Sequence, residues 1–480
     1  MTHASGTPAT HGPSISRELS LPMLIAMVVG SMVGAGVFSL PSTFAEATGV
    51  YGAIIAWTIA GGGMLLMALV FQKLTLARPD LDAGIFAYAR AGFGPYVGFF
   101  SAFGYWASAC IANVTFWALI TSTLGVLFPA LGEGSTVAAL VMGSIGVWLF
   151  HAVIVRGIGT AAIVNTITTV AKLVPLAIFL IVLAVAGFSW ETFTGNLWGT
   201  EIHSAASLGE QVRATMLVTV FVFLGVEGAN VFSRHAKRRE DVGRATVVGF
   251  LSVLALFVAV TMLSYGIMPR EDLANLREPS AAAVIEAVVG PWGGWLISIG
   301  LLISVMGAYL AWTLLAAEVL FSASAGDDAP RALSFINRRG VPTHALLATS
   351  VLTQVFLVVG FFSDDIFEFS LELTSAIAVI PYLLTAAFAL KLALGGTRRA
   401  GALALALGAF LYTCFLVYAM GLQYVLIALL VYSPATLMYV HARRERGLRI
   451  FSVPEAVLCA LVTLGAAVGL WALLTGRIGF

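Results

Sequence analysis

GSMVGAGVF (residues 30–38) interrupts one long apolar run, and FLGVEGA (residues 223–229) interrupts another. The first carries Gly30, Gly34 and Gly36, and the second carries Gly225 and Gly228. Glycine lets the backbone leave the helix at little steric cost. A helix that unwinds at membrane depth exposes N–H and C=O groups, which only protein or a water-filled cavity can satisfy. The two clusters lie five apolar spans apart, and an odd separation sends the second copy through the membrane in the opposite direction. That is the sequence pattern of an inverted-repeat carrier with discontinuous helices at corresponding places. A half-helix N-terminus presents N–H groups and a positive dipole end to a carboxylate. The freed carbonyls accept from an ammonium, so two such breaks side by side suit the head group of an α-amino acid. Gly30 and Gly34 also fit a small-residue packing face, a reading that explains one cluster better than it explains two matched ones.

The rest of the chain agrees with a membrane setting. It has 480 residues, of which 60% are hydrophobic and 10% charged, with a mean hydropathy of +0.98. Soluble domains carry about 25% charged residues. The composition therefore excludes a soluble enzyme, a disordered chain and a disulfide-stapled fold. Cys110, Cys414 and Cys459 are far apart in apolar runs and make neither a disulfide framework nor a metal set. Apolar stretches of spanning length are expected at roughly 21–45, 50–72, 95–125, 136–155, 161–188, 210–233, 245–268, 291–322, 345–362, 367–391, 402–420, 423–440 and 454–475. Period-2 alternation, the mark of a membrane β-barrel, is missing. Of the 25 Lys and Arg residues, 20 fall on the side of the N-terminus, four on the other side, and Lys172 within a span. The positive-inside rule then puts the N-terminus in the cytoplasm. The polar stretch 1–18 lacks the pattern of a signal peptide and is expected to be a disordered tail. Acids collect on the outer side: Glu133, Glu191, Glu201, Glu271, Asp272, Glu278, Asp364 and Asp365.

Ionisable residues inside spans are costly and mark functional candidates. Lys172 is either a proton-exchanging group, a fixed cation in place of a coupling sodium ion, or a tether for unwound carbonyls. Glu227, inside the second break, either binds a proton, faces a cationic group of the substrate, or ties the broken helices together. Tyr105 and Asn113 share a helix face at a spacing of eight residues. Trp106, Phe221, Tyr309 and Trp312 are core or gate aromatics, and Glu372 is a candidate partner for a cationic side chain. No phosphate loop, nucleophile elbow or metal motif occurs, and no soluble stretch is long enough for a nucleotide-driven pump. Neither an enzyme nor a cofactor is expected, and nothing points to nucleic acid.

GSMVGAGVFSLP (30–41), DAGIFAYARAGFG (82–94), FVFLGVEGANVFS (221–233) and GAYLAWTLLAAEVLF (307–321) resemble the amino acid–polyamine–organocation transporters, in their basic amino acid/polyamine antiporter branch. RREDVGRATVVGFL (238–251), LSYGIMPREDLA (263–274) and EAVVGPWG (286–293) are similar to bacterial arginine/ornithine antiporters and their lysine-permease relatives. The resemblance implies an all-α integral membrane protein with a five-plus-five inverted-repeat, leucine-transporter-like fold. Helices 1 and 6 would be discontinuous in a set of about 12–13 transmembrane helices. The repeats would cover 19–188 and 209–391, followed by accessory helices over 402–475.

The resemblance also implies a site. The substrate-binding set is Met32, Gly34, Ala35, Gly36, Asn113, Phe221, Leu224 and Thr374. Amides around Ala35 and Gly36 would take the carboxylate, and the carbonyls of Met32, Phe221 and Leu224 the amino group. Tyr105, Phe221 and Trp312 would gate, while Lys172 and Glu227 would serve proton coupling or helix tethering. Phe221 stands where the arginine/agmatine exchangers have tryptophan, Ala35 where they have serine, and Lys172 is absent from them. The implied activity is exchange of arginine for ornithine in a bacterial inner membrane. A proton-coupled lysine or arginine permease is the alternative, and a membrane amino-acid sensor is the reading from another class. A homodimer and a monomer both stay open.

Overall fold

The computed structural model describes residues 20–78, 81, 85–157, 161–200, 203–227, 237–395 and 400–478. The tail 1–18, residues 82–84 of the motif at 82–94, Glu201, Gly228 to Ser233, Arg234, Arg398 and Arg399 lie outside these residues. In chain order the helices begin with α1 (Leu21–Met32), α2 (Leu40–Ala47), α3 (Val50–Ala77), α4 (Ile85–Phe93), α5 (Pro95–Gly125) and α6 (Val137–Val155). There follow α7 (Ala161–Val182), α8 (Trp190–Gly195), α9 (Ala205–Phe223), α10 (Arg239–Ser264), α11 (Arg270–Ala274) and α12 (Ser280–Val289). The chain continues through α13 (Pro291–Ala325), α14 (Thr343–Gly360), α15 (Ile366–Gly395), α16 (Ala400–Ala419), α17 (Gly421–Glu445) and α18 (Val453–Leu474).

Segments this apolar must satisfy their amides internally, which is why they are helical. Ten helices among the described residues are long and apolar enough to cross a membrane, which makes this a multi-pass membrane protein. The expected spans at 21–45 and 161–188 and the described part of 210–233 contain helices but fall outside that set. The first is divided into α1 and α2 by a 3₁₀ turn at Gly36–Phe38. The fifth is α7, which ends in a π turn at Leu183–Gly187, and the sixth is α9, which stops at Phe223. The first break is shorter than the glycine cluster suggested, since Gly30 and Ser31 remain helical and the chain departs only after Met32.

Two groups of helices face each other. In one, α1 packs on α10, and α3 packs on both α9 and α10. In the other, α5, α13 and α14 pack mutually, with α6 against α14. Between the groups, α15 lies along α5 and also touches α9, while α7 packs on α13. Burial follows this plan: 94% of the apolar window of α5 is buried, against 28% for α6 and 22% for α18. On α6 the outward stripe is Val141, Ile145, Trp148 and Leu149, at the three- and four-residue spacing of one helix face. Such a stripe suits lipid.

A carboxylate of the last described helix reaches the most buried one. Glu455 accepts from Ser452 N (2.8 Å) and Ser452 Oγ (2.7 Å), capping its own helix. Its other oxygen accepts from Tyr96 N (2.9 Å), an N–H in the first turn of α5 with no partner inside that helix.

Candidate substrate site between the two helix breaks

After Met32 the chain turns away at Val33 (φ −74°, ψ 84°), and Gly34 N donates to Met32 O at 2.8 Å. The following 3₁₀ turn is closed by Phe38 N to Ala35 O and Ser39 N to Gly36 O, each 3.1 Å. Its first N–H groups have no acceptor within the turn, as at any helix start. In the second break α9 ends at Phe223, Leu224 is extended (φ −56°, ψ 136°) and Gly225 adopts φ +100°. That conformation favours glycine, and a Cβ at Gly225 would also lie 2.8 Å from Ser31 O.

The breaks touch directly. Ser31 Oγ lies 2.9 Å from both Val28 O and Gly225 O and shares its proton between them. A Cβ on Gly36 would sit 2.7 Å from Val222 Cγ1 and 3.0 Å from Phe221 Cδ1, so the last turn of α9 covers this glycine. Gly34 is different: a Cβ there would meet nothing nearer than Met32 O at 4.0 Å. Met32, Ala35, Phe221 and Leu224 are all buried.

Two buried charged groups hold the breaks. Lys172 Nζ on α7 donates to Gly30 O. An ammonium at the carbonyl end of α1 also complements the helix dipole. Glu227 Oε1 accepts from Tyr105 Oη (2.6 Å), and its Oε2 accepts from Tyr382 Oη (2.8 Å). The tyrosines come from α5 and α15, so this carboxylate bolts the second break to the opposite group of helices. The Trp312 ring lies 6.4 Å from that of Tyr105, inclined at 31°.

Of the side-chain candidates, Asn113 Nδ2 donates to Thr313 Oγ1 at 3.0 Å. Asn113 Oδ1 and Thr374 Oγ1 are buried with no partner among the described residues. Trp106 Nε1 donates to Thr349 Oγ1 (2.9 Å), and Tyr309 packs against Trp117 and Phe150 with ring centroids 5.6 and 5.0 Å away, so these two aromatics belong to helix packing. Sequence reasoning missed Ser31, Thr313 and Tyr382. The one available signal was a hydroxyl in mid-span beside a residue already singled out, as Thr313 follows Trp312.

A cavity of about 380 Å³ opens where α2, α9 and α15 come together. Among the described residues its carboxylates are Glu46, Glu278, Asp365, Glu368 and Glu372, and its one guanidinium, Arg213, is paired with Glu210 at 2.8 Å. Glu278 is held by Ser42 Oγ of α2 and by Ser280 N (3.0 Å). Burial keeps its carboxyl above the ordinary carboxylate range, at about 7, and nearby Asp365 adds to the rise.

Residues 19–443 match the sequence profile of a family described as amino acid permease. The chain is 45% identical over 474 residues to an arginine/ornithine antiporter of Pseudomonas aeruginosa, covering 96% of this chain and 98% of that one. It is 39% identical to an L-lysine transport protein of Corynebacterium glutamicum, covering 96% of each. An arginine/agmatine antiporter of Chlamydia pneumoniae is 34% identical, with 96% of this chain and 98% of that one covered.

Proposed function

The chain belongs to the amino acid permease family, and from that premise we propose that it exchanges cationic amino acids, arginine against ornithine, by alternating access. It is a secondary transporter and not an enzyme. The observation that carries the reading is the contact between the two breaks, where Ser31 meets Gly225 and unwound backbone of both spans comes together. Three relatives named for arginine, ornithine, agmatine or lysine support a cationic substrate.

In this reading the substrate carboxylate takes the amides of Ala35 and Gly36, beside the open space at Gly34. Its amino group takes the carbonyls of Met32, Phe221 and Leu224, and its side chain extends toward Asn113 and Thr374. Phe221, Tyr105 and Trp312 gate. Glu227, gripped by Tyr105 and Tyr382, closes the inner path until the second break shifts. Lys172 holds the first break at Gly30. The repeats are 19–188 and 209–391, with accessory helices over 402–475. The membrane is the bacterial inner membrane with the N-terminus in the cytoplasm, and the acidic outer cavity then concentrates cations at the mouth.

Purified protein in proteoliposomes, empty or loaded with ornithine, tests this by uptake of labelled arginine. Uptake confined to loaded vesicles is the expected result. Uptake into empty vesicles driven by an inward proton gradient would replace exchange by the permease alternative, and no uptake of any basic amino acid would overturn the reading.

A further inference from the structure

We propose that Thr313 is a positioning residue that sets the charge selectivity of the site by fixing which arm of the Asn113 amide is free. The argument rests on the cation-exchange reading and deepens it. Thr313 Oγ1 lies 2.7 Å from Tyr309 O, one turn earlier in α13, and gives its single proton there. Only lone pairs of that hydroxyl remain to face α5. The Asn113 amide must therefore offer its NH₂ to Thr313, as it does at 3.0 Å. The oxygen is then left on the arm that turns away from Thr313.

That oxygen is buried and has no partner among the described residues. Thr374 Oγ1, on the helix that runs along α5, also has no partner among the described residues, and as a hydroxyl it can accept or donate. A buried acceptor without a donor is a standing cost that an arriving donor removes. Guanidinium and ammonium groups carry donors only. A neutral ureido side chain has a donor arm and an acceptor arm, so one of its two orientations sets acceptor against acceptor and the other offers the amide oxygen only an uncharged donor. If the amide were free to turn over, its NH₂ would meet the ureido carbonyl and the discrimination would fade. Thr313 prevents the turn without touching the substrate. The carbonyl of Tyr309 is itself steadied, since that ring is wedged between Trp117 and Phe150.

The test compares labelled arginine with labelled citrulline, its neutral counterpart with an oxygen in place of one guanidinium nitrogen, in exchange against internal ornithine. Thr313→Val should raise the KM for arginine about tenfold, with kcat little changed, because one charge-assisted contact is lost. The KM for citrulline should hold or fall, so that the preference for arginine drops by at least that factor. Thr313→Ser keeps the hydroxyl and should keep the wild-type preference. If the valine variant does not reconstitute, Thr313→Ala serves in its place. A wild-type preference in the valine or alanine variant overturns the proposal and leaves the exchange reading standing. Equal losses in the serine and valine variants overturn it too, since the hydroxyl would then not be the cause. Absence of any basic amino acid exchange by the wild-type protein removes both.

Discussion

The break between α1 and α2 and the break after α9 occupy matching places in two oppositely directed spans, yet different partners hold them. The first is joined to α7 at its backbone, through Lys172 on Gly30 O, and leaves open space over Gly34. The second is joined through its own side chain, with both oxygens of Glu227 engaged by tyrosines of α5 and α15. An inverted repeat supplies two equivalent interruptions, and the side chains make them unequal. One leaves its backbone bare at Gly34. The other reports its position to the facing group of helices.

Four substitutions test that contrast, and the largest effect belongs to the bare backbone. Gly36→Val puts a Cβ 2.7 Å from Val222 Cγ1 and should cut uptake on the order of 100-fold by displacing the turn proposed to bind the head group. Near-normal uptake by this variant would sink the assignment of the first break to recognition. Tyr382→Phe leaves Glu227 Oε2 without its donor. About 1.5–3 kcal/mol of closure should be lost, seen as raised labelling of cysteines introduced on the cytoplasmic side while KM changes little. A raised KM with unaltered labelling would mean that the second break binds and does not gate.

Lys172→Met removes the tether on Gly30 O and should lower the melting temperature in detergent, at a cost of about 1–3 kcal/mol. If the melting temperature stays fixed, the first break does not depend on α7. A pH dependence beside α2, which follows the first break, completes the set. Glu278, gripped by Ser42, has its carboxyl raised to about 7 by burial. A carboxyl raised in the folded state favours folding when protonated. Its contribution is whole below about 4.5 and is lost as pH rises through 7. Melting should fall over that window, and Glu278→Gln should flatten the slope. An unchanged slope in that variant assigns the pH dependence elsewhere.

The sequence was legible where physics acts locally. Apolar runs and a matched pair of glycine clusters are contiguous features, and they sufficed for an all-α membrane fold with discontinuous helices. Even there, Gly30 was read as part of the break although it remains helical, because a glycine can serve either state and its carbonyl is taken by Lys172. The partners of the site were not legible. Tyr382 is 155 residues from Glu227, Thr313 is 200 from Asn113, and Ser31 is 194 from Gly225. No periodicity links positions so far apart, and one hydroxyl in a span looks like another until the helices pack. The acids of the cavity were visible singly, Glu278 and Asp365 in connecting segments and Glu372 within a span, but their convergence with Glu46 and Glu368 is a property of the assembled helices.

The carboxylate of Glu455 has a consequence for how the chain is made. The amide of Tyr96 leaves the ribosome 359 residues before the group that accepts its proton. Through most of synthesis, the helix that carries Tyr105 and Asn113 must sit in the bilayer with its first turn uncapped. It gains its final cap only when the last apolar helix is inserted. Maturation of the central helix is thereby tied to synthesis of α18, so a chain cut short before residue 455 is a carrier whose innermost element is still unfinished.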